Sequence, residues 1–206
     1  MRWAVCLAAL SFFRAAAADE SQPAVKFGTT VVIPTGLRGL VYHINEFTEK
    51  LPNFHRMKPK GTIYTTSLNV PPQDFRQGFP EITKRLEWFA IDYTGRFWIE
   101  KPGLYTFLLT SDDGSKLYID DQVTIDNDGI HPAQDKTGTV DLAKGIHRIR
   151  VSYFQGPRFQ LALVLKIAGP GERLRVFSTD EFKPPPNPEN WHDPDTEPAE
   201  RPRKHK

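Results

Sequence analysis

The sequence contains a single cysteine, Cys6, within its first eighteen residues. A chain cut after that segment has no thiol, which excludes a disulfide framework, a thiolate nucleophile, a cysteine-based zinc site and an iron–sulfur cluster. A membrane-spanning run is also missing: the apolar stretch Trp3 to Phe13 falls short of the roughly 20 residues a spanning helix needs, and Arg14 closes it. An excess of one charge is lacking too. Residues 19–182 carry twenty Lys and Arg against twenty Asp and Glu, so nucleic acid is not an expected partner. Neither a G-x-S-x-G nor an H-E-x-x-H pattern occurs, and no catalytic residues are assigned; the expectation is a protein that is not an enzyme.

The two ends read differently from the middle. Arg2 supplies a positive start, Trp3 to Phe13 an apolar run, and Ala16-Ala17-Ala18 a small-residue cleavage site before Asp19. Residues 1–18 are therefore expected to be a signal peptide. The mature chain would be secreted or held in the periplasm or cell envelope, with no integral membrane segment once the signal is cleaved. Residues 19–35 form a short lead-in. From Lys183 to Lys206 the repeated prolines and alternating charges leave almost nothing apolar to bury, so 183–206 is expected to be a disordered tail. Residues 36–182 remain as one domain, long enough to bury a core without disulfides.

Within that domain the apolar period is two. Ile146 to Phe154 alternates His147, Ile149, Val151 and Tyr153 with Arg148, Arg150 and Ser152, a strand with one buried and one wet face. Phe159 to Ile167 places Phe159, Leu161, Leu163, Leu165 and Ile167 on one face and Ala162 and Val164 on the other, the pattern of a central strand. Leu104 to Thr110 follows a Pro-Gly turn, and Lys116 to Ile119 and Val123 to Ile125 flank a hairpin turn at Asp120-Asp121-Gln122; Thr137 to Leu142 is a further strand. Helical signals are confined to Pro80 to Leu86 and a weaker turn at Pro72 to Arg76. The fold class expected is all-β: an antiparallel β-sandwich with one or two short helices and a disordered C-terminal tail. Trp88, Phe89, Tyr93, Phe97 and Trp98 are assigned to core packing in preference to a sugar-stacking platform.

Six spaced segments carry a family resemblance. They are Gly36 to Gly39, Trp98 with Pro102 to Phe107, Ser111 to Asp120, Ile125 to His131, Gly138 to Val140 with Ala143 to His147, and Ile149 to Phe154. In this order they resemble the protective-antigen-like domain of bacterial toxins, glycosidases and yeast adhesins, over roughly residues 36–178. Thr62 to Tyr93 is more loosely similar to fibro-slime-type bacterial surface proteins. The resemblance implies a β-sandwich that commonly binds carbohydrate and does not imply catalysis.

Between Asp112 and Asp128 stand six aspartates and one lysine. Such oxygen-rich loops suit Ca²⁺, which takes six to eight hard oxygen ligands. Adjacent side chains on a strand point to opposite faces, so Asp112 and Asp113 can share an ion only through an unusual backbone such as a cis peptide. Sugar-binding adhesins that resemble this sequence hold Ca²⁺ on a cis Asp-Asp pair, with sugar hydroxyls completing the shell. That resemblance assigns metal ligation to Asp112, Asp113 and Gln155, with Gln155 standing where the adhesins carry asparagine. The ligand site adds Arg158 to the same three. The alternative at the same residues is a turn without metal, capped by Asp112, in which Gly114 supplies a positive φ. His131 and His147 are expected to be packed or hydrogen-bonded. The functional expectation is an exported carbohydrate-binding module for a cell-surface or extracellular glycan, calcium-dependent through the Asp-Asp loop. A structural or protein-binding domain of the bacterial envelope, with an envelope protein as partner and no metal, is the alternative.

Overall fold

Each alternating run in the domain becomes a strand. The computed structural model describes residues 36–79 and 85–185. The expected signal, the lead-in and nearly all of the tail lie outside them. The strands in chain order are β1 (Leu37–His43), β2 (Gly61–Thr65), β3 (Asn69–Asp74), β4 (Phe89–Ile99), β5 (Gly103–Asp112), β6 (Ser115–Ile119), β7 (Gln122–Asn127), β8 (Gln134–Leu142), β9 (Gly145–Gln155), β10 (Gln160–Ala168) and β11 (Arg175–Val176). One antiparallel sheet runs β2-β1-β4-β9-β6-β7, and the other runs β11-β10-β5-β8 with β3 also paired to β10. The fold is thus the expected antiparallel sandwich.

The core lies between the two sheets. From the six-stranded sheet come Phe89, Ile91, Tyr93 and Phe97 of β4 and Ile149, Val151 and Tyr153 of β9; from the other come Phe107 and Leu109 of β5 and Leu161, Leu163, Leu165 and Ile167 of β10. Tyr42, Ala90 and Phe154 point the other way. They form a second apolar cluster with Ile44 and Phe54, against which Leu51 and Met57 pack, and which covers one end of the outer face of the six-stranded sheet.

Several expectations need correction. Pro72 to Arg76 is not a helical turn: β3 runs through Pro71 and Pro72 to Asp74, and a 3₁₀ turn follows at Phe75–Gln77. The register with β10 shifts between Leu161 and Leu163, so the two prolines sit at an irregularity, where missing N–H donors cost little. A second 3₁₀ turn at Phe54–Arg56 carried no helical signal in the sequence. Most of Pro80 to Leu86 lies outside the described residues. Phe159 does not share the inward face of β10; the strand starts at Gln160 and the Phe159 side chain is 81% exposed. Of the five aromatics assigned to the core, Phe89, Tyr93 and Phe97 are buried, while Trp88 and Trp98 are only half-buried on the outer side.

The hairpin β6–β7 turns through Asp120 and Asp121 at φ 48° and 66°, the pair of left-handed residues that a two-residue hairpin turn requires. Removing a side chain from the centre of the sandwich should leave a cavity that the two packed sheets cannot close. Leu165→Ala is expected to lower stability by about 2–5 kcal/mol in urea unfolding with the slope unchanged, while exposed Leu104→Ala should change it by no more than about 0.5 kcal/mol.

Candidate functional site

At one end of the sandwich β5 runs into β6 through Asp112, Asp113 and Gly114. The peptide bond between Asp112 and Asp113 is cis. Both aspartates are buried, at 7% and 4% exposure. Burial first, then the neighbouring Asp113 charge, pushes the Asp112 carboxyl up to about 6, against the pull of the Ala133 N–H and of His131. Burial also raises Asp113, although the N–H groups of Gly156 and His131 counter it. Those donors come from two different segments: Gly156 N–H reaches Asp113 Oδ2 at 2.7 Å and His131 N–H reaches Oδ1 at 3.2 Å. Among the described residues no lysine or arginine pairs with either carboxylate.

The surrounding segments are locked to this turn. Gly114 is required for close approach and not, as expected from its turn position, for a positive φ. A Cβ on it would lie 2.3 Å from Phe154 Cε1 and 2.7 Å from Gly129 N. Its carbonyl accepts the Phe154 N–H at 2.9 Å. Both ring nitrogens of His131 lie against carbonyl oxygens, Nδ1 at Pro132 and Nε2 at Asn127, which holds the 127–132 segment over the pair. Beneath it Asn127 donates through Nδ2 to Ser111 Oγ at 2.9 Å, and Ser111 and Ser115 share a hydroxyl hydrogen bond of 2.6 Å. The Asn127 Oδ1 is buried with no partner in the structure.

Asp112, Asp113 and Gln155 are brought together, but Gln155 turns its amide nitrogen toward the pair. Its Nε2 donates to the carbonyls of Gln160 at 3.0 Å and Pro157 at 3.3 Å and lies 3.5 Å from Asp113 Oδ2. Its Oε1 faces the Tyr153 hydroxyl at 2.7 Å, which also lies 2.7 Å from the main-chain oxygen of Asp112. Arg158 is engaged elsewhere, donating from Nε to Glu87 Oε1 at 2.9 Å. With Arg85 and Trp88 it lines a recess of about 460 Å³ beside the 155–158 loop. Trp88 is tied to that loop by its N–H on the Gly156 carbonyl at 3.2 Å, and exposed Phe47 packs near its ring.

The other four aspartates of the acidic stretch do different work. Asp126 and Asp128 both pair with Lys116, and Asp128 also accepts the Leu51 N–H. Asp120 takes the ring of His147 and the N–H of Arg148, while Asp121 pairs with the Arg148 side chain. The cation candidate therefore reduces to Asp112 and Asp113. Two adjacent buried carboxylates, held mainly by main-chain donors and without a lysine or arginine partner, are hard oxygen ligands of the type Ca²⁺ takes. They fit such an ion. Gln155 as oriented offers it no oxygen, and among the described residues no cluster of three or more His, Cys, Asp or Glu is arranged to hold a metal. The rest of the shell would have to come from main-chain oxygens, water or a ligand.

Two antiparallel sheets packed as a sandwich, with the Asp112–Asp113 turn at one end, have the fold of a protective-antigen-like domain. The PA14 domain family model matches residues 71–191, more than half of the chain, and the chain belongs to that family. No curated protein gives a significant match. Among solved structures, the PA14 sugar-binding domain from an RTX adhesin is similar with a TM-score of 0.55 at 16% identity, covering 70% of this chain and 96% of that one. The epithelial adhesin 9 A domain from Candida glabrata, in complex with Galβ1-3GlcNAc, gives 0.51 at 16% identity over 71% of this chain and 87% of its own. An anti-sigma factor domain-containing protein from Clostridium clariflavum gives 0.57 at 21% identity over 76% of this chain. The chain spans about half of that protein, 49% of its length. At these identities the likeness is one of fold.

The raised Asp112 carboxyl makes stability depend on pH. An acid that binds its proton more tightly when folded favours the fold below its unfolded value of 3.8, and this contribution is lost as pH rises through about 6. The displacement corresponds to about 3 kcal/mol. In chelator, wild type should lose nearly that much relative to Asp112→Asn between about pH 3 and about pH 7. Unfolding of both proteins across the range checks it, since carboxylates remote from the pair cancel in the difference.

Proposed function

We propose that this domain is a carbohydrate-binding module of an exported protein, that it recognises a cell-surface or extracellular glycan at the Asp112–Asp113 end of the sandwich, and that Ca²⁺ contributes to the binding. One observation carries the reading: two adjacent carboxylates are buried together, met by main-chain N–H groups and the Gln155 amide and by no lysine or arginine. A divalent cation there would supply the missing positive charge and a surface for sugar hydroxyls to ligate. Support also comes from the similar structures, one described as a sugar-binding domain and another holding a disaccharide.

This chain's own residues divide the task. Asp112 and Asp113 supply the charged oxygens. The N–H groups of Ala133, His131 and Gly156 orient them, and Tyr153 fixes the main chain at Asp112. Phe159, exposed next to the 155–158 loop, offers an apolar face of the kind that stacks on a sugar ring. Arg158 stands on the same loop as a hydrogen-bond donor to the ligand. Gln155, the third metal ligand in this reading, joins the shell through Oε1 only by turning its amide over from Tyr153.

Thermal unfolding with calcium and with chelator tests the reading. Calcium at about a hundred times its Kd should add about 2.7 kcal/mol and raise the Tm by roughly 5–10 °C. Asp113→Ala should abolish both the rise and calcium-dependent retention on a glycan array. An unchanged Tm at millimolar calcium together with an empty array would contradict the reading, and recovery of an envelope protein with the chain would then favour a structural or protein-binding domain.

A further inference from the structure

The outward face of the six-stranded sheet carries a set of arginines that the Asp112–Asp113 end does not use, and strand register places them. Arg38 of β1 lies opposite Thr94 of β4, Thr94 opposite Arg150 of β9, and Arg150 opposite Tyr118 of β6. Two residues further along, Arg96 of β4 lies opposite Arg148 of β9. Residues two apart on a strand share a face, so four guanidinium groups from three strands stand on one side of the sheet in neighbouring rows. They line a recess of about 250 Å³ that contains one carboxylate, Asp121. With strands ~4.8 Å apart, β1 and β9 are separated by about 10 Å, so the rows can hold anionic groups spaced along an extended chain.

The neighbourhood sets these groups in place. The apolar cluster of Tyr42, Ala90 and Phe154 covers the far end of the face, and the arginines begin where that cover stops. Arg150 lies with its guanidinium 5.1 Å from the Tyr118 ring centroid and 5.9 Å from that of Phe54, while Asp92 accepts its Nε–H at 2.8 Å. A guanidinium fixed against aromatic rings keeps a fork for carboxylate or sulfate oxygens. Tyr64 of β2 stands opposite Arg38, so a tyrosine flanks the arginine row on each side.

We infer that this face is a second ligand site, which binds an acidic polysaccharide through its carboxylate or sulfate groups. Charge complementarity selects the anion. The choice of a sugar polymer over other polyanions rests on the carbohydrate reading above and on the confinement of basic character to one recess of a domain whose total charge is balanced, where nucleic acid would need a wide basic footprint.

The test uses the full chain in chelator, titrated with polygalacturonate and dextran sulfate, with neutral dextran and an oligothymidylate as controls. Both acidic polysaccharides should bind and neutral dextran should not, with affinity falling at least about tenfold between about 25 mM and about 200 mM NaCl. The Arg96→Ala/Arg148→Ala double variant should weaken binding about tenfold or more. Lys136→Ala/Lys166→Ala, which removes two charges from the other sheet, should leave it within about twofold. Asp121→Asn removes the competing carboxylate at a turn position with φ 66° that asparagine tolerates, and should tighten binding. Absence of binding at low salt, equal loss in the two double variants, or tighter binding of the oligonucleotide would each overturn the inference. Binding that persists in chelator and in Asp113→Ala keeps this face standing even if the calcium site fails.

Discussion

Two carboxylates set side by side out of water repel each other and lose their hydration, and the end of this sandwich is built around that cost. Asp112 and Asp113 are met by N–H groups of residues 131, 133 and 156, from segments that join different pairs of strands. Those segments can reach the pair only because Gly114 has no side chain, which lets Phe154 and Gly129 approach its backbone. The Tyr153 hydroxyl and the Gln155 amide brace the same turn from β9. Charge at one point thus dictates the path of three loops.

The six-stranded sheet serves as the common scaffold. Its inner face is packed against β5 and β10 and fixes where β5 ends, and hence where the aspartate pair lies. Its outer face runs from the apolar cluster near Phe54 through the Asp92, Arg150 and Ser152 hydrogen bonds to the arginines near Asp121. The sandwich therefore presents two chemistries, hard oxygen donors at its end, where β5 leaves the opposite sheet, and guanidinium groups on the outer face of the six-stranded one.

The sandwich was legible in the sequence because a period of two, broken by Gly, Pro and Asp turns, carries strand direction and inward face together. Ile146 to Phe154 and the β6–β7 hairpin follow that logic directly. Phe159 misled because apolar character alone does not mark where a strand begins, and Pro72 because proline suits both a turn and an irregular edge of a sheet. Asp112 and Asp113 were singled out through the family resemblance, whereas the donors at 131, 133 and 156 lie 18 to 44 residues from them and come together only through sheet topology. Asp126 and Asp128 sit in the same acidic stretch yet serve Lys116, a division that local composition does not encode. The arginine face was equally hidden: Arg148 and Arg150 are visible as a wet strand face, but their alignment with Arg38 and Arg96 depends on the register of β1, β4 and β9.

A crystal structure of the domain grown with calcium and a bound oligosaccharide tests the central claim most directly. The account predicts an ion within about 2.3–2.6 Å of oxygens from both Asp112 and Asp113, with ligand or water oxygens completing six to eight contacts. A structure in which saturating calcium leaves both carboxyl groups on their present N–H donors with no ion beside them, and the sugar bound at another surface, would contradict it.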